Sequence, residues 1–220
     1  MVVAVSHFKL AYAAVPKAAC TSIKAVLAQH DPAISLPPED ERSGPIYHAA
    51  YPTQRWRKWQ WKPYQGEDWF RFCVMRDPSK RLMSAYVNRV VEKKELHNSR
   101  NLQKGRVNLP MDPDPDFFFQ NLEAYNQAAS VIKHHTFTIQ MFTGPSLGRF
   151  TDVYKVERDM PRLAEDLSAR LGAQVTIPRE NKTRVKLTLD DLTPTTREAL
   201  RVRLTKEYDY LEGHYDNPLA

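Results

Sequence analysis

The 220-residue chain contains only two cysteines, Cys20 and Cys73, and no recognisable secretory signal. A disulfide framework is therefore not expected, and both side chains are predicted to be reduced thiols. Long hydrophobic runs are also missing, since Ser6, His7 and Lys9 interrupt the apolar start of the chain. That start is too short and too polar for a membrane span or the core of a signal peptide. No internal repeat or low-complexity segment is visible.

The chain also lacks the Gly-Lys-Ser/Thr triplet of an ordinary Mg-ATP site. In that motif the lysine directly precedes the hydroxyl residue. Here Lys17 precedes Thr21 and Ser22 by several positions. A conventional ATP site is therefore disfavoured.

The most informative segment that is present runs from Tyr12 to Leu27, where an apolar strand changes into a lysine, two hydroxyls and a helix. Pro16 ends the strand, and the small side chains that follow allow backbone N–H groups to crowd together. Amides at the start of a helix, together with the positive end of its dipole, favour an anion. We therefore expect a phosphate-like group here. The predicted cradle consists of Lys17, Ala18, Ala19, Cys20, Thr21 and Ser22. For the hydroxyls of Thr21 and Ser22, the alternative is a role as helix caps only.

A second segment of the same design runs from Phe72 to Tyr86. Arg76 follows an apolar strand, Asp77-Pro78 predicts a turn, and Ser84 lies on the helix after it. An arginine fork and a serine hydroxyl can both bind one phosphate. This segment is therefore a second predicted phosphate site.

Two such elements suit a nucleotide with phosphates at both ends of its ribose. The pair resembles the sulfotransferases that use 3′-phosphoadenosine-5′-phosphosulfate (PAPS). The sequences P-K-A-A-C-T-S and R-D-P-x-x-R-L-x-S-A-Y look most like sulfotransferase family 2, the carbohydrate sulfotransferases of the chondroitin and dermatan type. The resemblance implies that the first loop holds the 5′-phosphosulfate and the second element the 3′-phosphate. Adenosine 3′,5′-bisphosphate would be the product, and no metal would be required.

The reaction implied by this resemblance is transfer of a sulfuryl group to a hydroxyl of a glycan, a glycolipid or a small molecule. Lys17 is the expected catalytic cation, since charge grows on the departing phosphate. The acceptor hydroxyl must also lose a proton. His135 is the first candidate base, because the segment around it resembles the family's H-x-x-P-Q sequence and imidazole titrates near neutrality. His48 is the second candidate and Glu67 the third.

Two further residues enter through the same resemblance. Arg81 occupies the position of the family's second arginine, which implies support for the 3′-phosphate or for Asp77. Asn181 lies in a segment that resembles the late P-x-x-N-x-[ST] sequence and is expected to bind the nucleotide or the acceptor. The alternative for Asn181 is a plain polar turn.

The alternation of strands and helices predicts an α/β fold, a single P-loop-like domain over residues 1–220 with a central parallel sheet in a three-layer α/β/α arrangement. Residues 31–68 are expected to form an irregular covering segment, and 97–116 a mobile lid. The predicted strands are 8–15, 69–75, 152–157 and 175–178. The predicted helices are 22–30, 79–96, 116–132, 160–171 and 194–211, with Asp116 as the cap of the third.

Two local features leave alternatives open. Cys20 is either a nucleophile activated by the helix terminus or a small side chain packed under the loop. The segment from Arg55 to Tyr64 interleaves cations with Trp56, Trp59 and Trp61. It is either a set of anchors for an irregular segment, a glycan-binding lip, or a platform for single-stranded nucleic acid.

The net charge of +6 favours an anionic partner. The rival functions are a P-loop kinase, which needs the missing triplet and a metal-binding aspartate, and a basic nucleic-acid-binding protein. The latter leaves the paired motifs unexplained, so no nucleic-acid partner is expected. The animal relatives are anchored in the Golgi by an N-terminal helix that this sequence does not show. A cytoplasmic, bacterial protein is therefore expected.

Overall fold

The computed structural model describes residues 2–178 and 186–220. Within these ranges the chain divides into two compact units. Unit 1 contains residues 2–76 and 139–178, and unit 2 contains 77–138 and 186–220. The strands are β1 (Val3–Val5), β2 (Leu10–Ala13), β3 (Phe70–Met75) and β4 (Asp152–Lys155). The helices are α1 (Cys20–His30), α2 (Gly44–Ala50), α3 (Lys58–Trp61), α4 (Pro78–Tyr86), α5 (Arg100–Gln103), α6 (Pro115–Gln120), α7 (Leu122–Ala128), α8 (Ser130–Thr136), α9 (Gln140–Thr143), α10 (Met160–Leu171) and α11 (Pro194–Tyr210).

Unit 1 is built on a four-stranded sheet of order β1-β2-β3-β4. β2, β3 and β4 are parallel, and β1 pairs antiparallel with β2. The α/β class and the parallel arrangement of the three main strands are confirmed. β1 is an element that the sequence reading missed, and the strand expected at 175–178 is wrong, because the chain there is irregular.

The register of the sheet determines where the first site residues lie. Ala13 of β2 is opposite Cys73 of β3, and Met75 is opposite Lys155 of β4. Because parallel strands end at the same edge of a sheet, the loop after β2 and Arg76 after β3 leave the sheet side by side. This edge is where a ligand binds in open α/β sheets.

Apolar packing holds this sheet edge in place. The ring of Tyr12 stacks on Phe72 at 4.9 Å, and Ile23 and Leu27 of α1 are fully buried in the same core. α10 presents one face of leucines to this core and ends at Gly172, whose φ is 66°. The helix and its glycine terminus both confirm the prediction from sequence. The loop therefore starts from a rigid strand and enters a well-packed helix.

Unit 2 consists of helices around a second core that includes Phe118 and Tyr125. The single helix expected at 116–132 is wrong, because the chain breaks into α6, α7 and α8. Asp116 is not the cap. Asp114 accepts the N–H of Phe117 at 2.9 Å, whereas Asp116 accepts the hydroxyl of Thr193 at 2.7 Å.

The other helical predictions are partly correct. α11 and α10 match closely, but the helix expected at 79–96 ends as α4 and continues as a π-helical turn at Val87–Glu92. The segment 31–68 contains α2 and α3, so it is more ordered than expected. The lid at 97–116 and the single domain over 1–220 stay predictions. Across the described ranges, none of the helices has the length and apolar character needed to span a membrane.

Candidate active site

The loop between β2 and α1 has an unusual backbone. Lys17 and Ala19 both adopt left-handed conformations, with φ of 66° and 56°. Such conformations cost about 1–3 kcal/mol each in non-glycine residues and concentrate at functional sites. Ala18 between them is fully buried, and its N–H donates to the carbonyl of Val15 at 3.3 Å. The loop is therefore held in a strained shape by the packing beneath it.

Helix α1 begins directly from this loop. Ala19 is its N-cap residue and makes no side-chain cap hydrogen bond. The first N–H groups of a helix have no partner within the helix. Thr21 and Ser22 lie inside the first turn rather than at the cap, so a purely capping role for their hydroxyls does not apply.

Arg76 connects the two predicted phosphate elements within unit 1. Its Nη1 lies 3.4 Å from the carbonyl oxygen of Lys17, a long hydrogen bond. Both side chains are partly exposed. The structure therefore brings Lys17, Arg76 and the start of α1 to one edge of the sheet.

His48 of α2 also belongs to this region. Its Nε2 lies 3.1 Å from the hydroxyl of Thr21, and its Nδ1 lies 3.0 Å from Nζ of Lys24. Lys24 also donates to the hydroxyl of Thr53. Both ring nitrogens of His48 are thus engaged by α1. This arrangement favours a role in holding Thr21 over the predicted role of a base.

Lys24 is the residue that sequence reasoning missed. Its side chain is 0 % exposed, and burial lowers its pKa to about 8. The available signal was its spacing: Lys24 follows Thr21 by three residues, which places both on one face of α1. It is also the single cation among the apolar residues Ile23 to Ala28.

The two cysteines are free thiols, as predicted. Cys20 lies at the first position of α1 with 8 % exposure and joins the core of unit 1. This burial supports the packing role over that of a nucleophile. Cys73 is fully buried in β3, and burial raises the pKa of its thiol.

In unit 2, Asp77 serves as the N-cap of α4. Its Oδ1 accepts the N–H of Lys80 at 2.9 Å and the hydroxyl of Ser79 at 2.5 Å, and its Oδ2 accepts the hydroxyl of Tyr208 at 3.0 Å. A carboxylate used in this way is poorly suited to the metal-binding aspartate that a kinase requires. Ser84 lies further along α4 and is buried.

Arg81 is a predicted ligand that the structure buries completely. Its guanidinium is 0 % exposed and lies 3.3 Å from Glu207 of α11, which is itself buried. It also donates to the carbonyl oxygens of His135 and Phe137, at 3.3 and 2.5 Å. Direct contact of Arg81 with a phosphate is not supported by this burial. What the contacts do support is positioning of the C-terminal end of α8.

His135 lies in the last turn of α8, and its ring packs edge-on against His134 at 5.1 Å. Its role as a base stays a prediction. Asn181 lies outside the described residues. Among the residues described, no three or more His, Cys, Asp or Glu side chains are grouped to hold a metal ion.

The tryptophan segment in unit 1 divides into anchors and one exposed ring. The backbone N–H of Trp56 donates to the carbonyl of Met141 at 2.7 Å, and the guanidinium of Arg149 lies over the indole ring of Trp56 at 4.6 Å. Trp61 is buried edge-on against Phe150 at 5.5 Å. Trp59 is 71 % exposed. The anchor interpretation therefore holds for Trp56 and Trp61 but not for Trp59.

Comparison with known proteins gives one result. The model of the sulfotransferase family matches residues 1–212, which is nearly the whole chain. No curated protein and no solved structure gives a significant match. The family match decides against the kinase and nucleic-acid-binding alternatives. The chain therefore belongs to the sulfotransferase family, within family 2 of the PAPS-dependent superfamily, and is a transferase enzyme.

Proposed function

We propose that this enzyme transfers the sulfuryl group of PAPS to a hydroxyl of a carbohydrate-containing acceptor and releases adenosine 3′,5′-bisphosphate. The observation that carries the donor is the contact of the Arg76 guanidinium with the backbone carbonyl of Lys17 at the edge of the sheet. Two cationic residues, Lys17 and Arg76, next to the first turn of α1 suit a multiply charged anion. The two phosphate elements, each following a parallel strand, fit a nucleotide held at both ends.

The chemistry requires one bond to break and one to form. The bond between sulfur and the bridging phosphate oxygen breaks, and sulfur bonds to the acceptor oxygen, which gives up its proton. Negative charge therefore grows on the departing phosphate. Lys17 is proposed to neutralise that charge, with the loop amides of Ala18 to Ser22 around the same phosphate. Arg76 and Ser84 are proposed to read the 3′-phosphate.

The proposed base is a histidine in the last turn of α8. His135 is retained as the candidate, and its replacement by asparagine should lower the rate of transfer without weakening nucleotide binding. His48 is assigned instead to the nucleotide side of the reaction, because Thr21 and Lys24 occupy both of its ring nitrogens. Arg81 is assigned an indirect part, because its guanidinium is held by Glu207 and two carbonyl oxygens.

The carbohydrate acceptor is supported by the surface of α3. Trp56 and Trp61 fix this short helix, and Trp59 is presented with Arg57 and Lys58, which are also exposed. An exposed indole packs well on a sugar ring, and the neighbouring cations attract acidic groups. We further propose the P-loop-like three-layer arrangement, the single domain and a cytoplasmic location, in keeping with the family resemblance.

Ligand-dependent thermal stability tests the donor. A ligand that binds only the folded state raises the melting temperature. Adenosine 3′,5′-bisphosphate should raise it at micromolar concentrations, whereas ATP with Mg²⁺ and an oligonucleotide should not. Stabilisation by ATP with Mg²⁺ and not by the bisphosphate would contradict the proposal. Transfer from radiolabelled PAPS to panels of glycans, glycolipids and small hydroxyl compounds then identifies the acceptor.

A further inference from the structure

A chain of hydrogen bonds leads from the interior of unit 1 to the first turn of α1. Lys24 contacts His48 at 3.0 Å, and His48 contacts Thr21 at 3.1 Å. Thr53 accepts a further hydrogen bond from Lys24. Lys24 is 0 % exposed, and Thr21 and His48 are partly exposed. This series of hydrogen bonds therefore has a buried end at Lys24 and an outer end at Thr21. Thr21 lies in the first turn of α1, within the segment that is proposed to hold the nucleotide.

The direction of each hydrogen bond follows from the chemistry of the groups. A lysine ammonium has three donors and no acceptor. Nδ1 of His48 must therefore accept, which in the neutral ring places the proton on Nε2. Nε2–H then donates to the Thr21 oxygen. The hydroxyl proton of Thr21 is consequently directed away from His48.

We infer that Lys24 is a positioning residue, which holds His48 as the Nε2–H tautomer so that the hydroxyl of Thr21 donates its proton to a phosphate oxygen of the bound nucleotide. This inference rests on the proposed function. It assigns no proton transfer to Lys24 or His48. The three residues instead act in a line, each fixing the orientation of the next.

Burial of the lysine is consistent with this role. An unpaired ammonium in the protein interior is costly, so its donors need acceptors. His48 Nδ1 and the Thr53 hydroxyl supply two. Burial lowers the pKa of Lys24 to about 8, which still leaves it mostly protonated at neutral pH. Its contribution at neutral pH is therefore that of an obligatory donor.

Loss of Lys24 should reverse the direction of the hydrogen bond between His48 and Thr21. Without a donor at Nδ1, His48 is able to carry its proton there and accept at Nε2. The Thr21 hydroxyl would then donate to His48 and turn its lone pairs toward the phosphate. A hydrogen bond to a charged group would be exchanged for an unfavourable contact between lone pairs and an anion. Lys24→Met and Thr21→Val should accordingly weaken nucleotide binding to a similar extent.

The first test reads the tautomer directly, without any nucleotide. Imidazole ¹⁵N shifts of the wild-type protein at pH 7 should show His48 protonated at Nε2 and not at Nδ1, with His48→Gln identifying its signals. In Lys24→Met the signal should move to the Nδ1–H form or to a mixture. Finding His48 as the Nδ1–H tautomer or as imidazolium in the wild type would overturn the inference, and this result requires no folded Lys24 variant.

The second test measures binding of adenosine 3′,5′-bisphosphate by calorimetry. Lys24→Met and Thr21→Val should each weaken binding by about tenfold, the value of one hydrogen bond to a charged group. The double variant should bind no more weakly than either single one. Multiplying effects would mean that Lys24 does not act through Thr21, and the inference would fail.

Two control variants check that the loss of binding is specific to Lys24 and to the hydroxyl of Thr21. Lys9→Met removes a lysine that is exposed and pairs with Asp68 on the surface, and it should leave binding unchanged. Thr21→Ser keeps the hydroxyl and should retain most of the affinity. If the wild-type protein does not bind the bisphosphate at all, the proposed donor is wrong. The ¹⁵N measurement uses no nucleotide, so it still tests whether Lys24 fixes the tautomer of His48.

Discussion

The guanidinium of Arg76 lies 3.4 Å from the backbone carbonyl of Lys17, so the residue after β3 reaches the loop after β2. This contact joins two segments that are 59 positions apart in the chain. It follows from the parallel pairing of β2 with β3, which ends both strands at one edge.

Lys17→Ala should lower the rate of sulfuryl transfer by about 10²–10³-fold, because the departing phosphate loses its cation in the transition state. The fold should be intact, since the Lys17 side chain is partly exposed. Alanine also tolerates the left-handed backbone no worse than lysine does. Transfer from labelled PAPS and the melting temperature should be measured together. Wild-type turnover in this variant would remove Lys17 from the mechanism.

Arg76→Lys should weaken binding of adenosine 3′,5′-bisphosphate by about 10–100-fold, because a forked, charge-assisted contact is replaced by a point charge. Binding of adenosine 5′-phosphate should change much less if Arg76 reads the 3′-phosphate. Titration calorimetry with both nucleotides measures the difference. Arg57→Lys, on an exposed residue of unit 1, is the control. An equal loss for the two nucleotides would assign Arg76 to the other phosphate.

Stability should rise with pH above about 8 through Lys24. Burial lowers its pKa from 10.5 to about 8, so between these values the unfolded chain holds a proton that the folded chain has lost. The free energy of unfolding then increases with pH, by up to about 1.4 kcal/mol per unit. The groups that face Lys24 are Cys20 on its own helix, His48 on α2 and the hydroxyl of Thr53. Urea unfolding from pH 7 to 9.5 should show this slope in the wild type and lose it in Lys24→Met.

Substitutions of the buried residues Arg81 and Glu207 should have strongly coupled effects on the free energy of unfolding. Arg81→Met removes the guanidinium nearest to the buried carboxylate of Glu207, and Arg203 lies further away, at 3.9 Å. The expected loss in free energy of unfolding is about 3–5 kcal/mol. Arg81→Met combined with Glu207→Leu should cost less than the sum of the single changes, because no charge is then stranded. Additive losses in urea unfolding would argue against the coupling.

Gly144 should be hard to replace. Its φ is 85°, and an added Cβ would lie 2.7 Å from the ring of Trp56. Gly172 also has positive φ, at 66°, but open space around it, so Gly172→Ala is the matched control. Gly144→Ala should cost about 1–3 kcal/mol more than that control, from overpacking against Trp56. Equal losses would mean that Trp56 moves aside easily.

Much of the fold could be read from local patterns. The strand before Lys17, the strand before Arg76, and the helices α10 and α11 all follow from apolar spacing and clear stop signals such as Pro16 and Gly172. The long helix expected at 116–132 failed because continuous helix-forming residues do not reveal breaks such as those at Asn121 and Ala129. The prediction that Asp116 caps the helix was wrong because its hydrogen-bond partner, Thr193, is distant in sequence.

The proximity of Lys17 and Arg76 could be expected from the sequence, because each residue follows an apolar strand and parallel strands end at one edge of a sheet. Their binding of phosphate stays a prediction. Lys24 was missed because a lysine on a helix is normally solvated, and its burial depends on α2 and the residues after it. Arg81 was placed in the correct segment, yet its partner Glu207 lies on α11.

The amino-acid sequence alone indicated the family and the alternation of strands with the main helices, because these are written in short runs of adjacent residues. Which polar side chains are buried and paired depends instead on tertiary packing. Thr21, His48 and Lys24 meet because α1 and α2 pack together, and Arg81 meets Glu207 because α4 and α11 do. Contacts between distant segments depend on packing, and no local pattern encodes them.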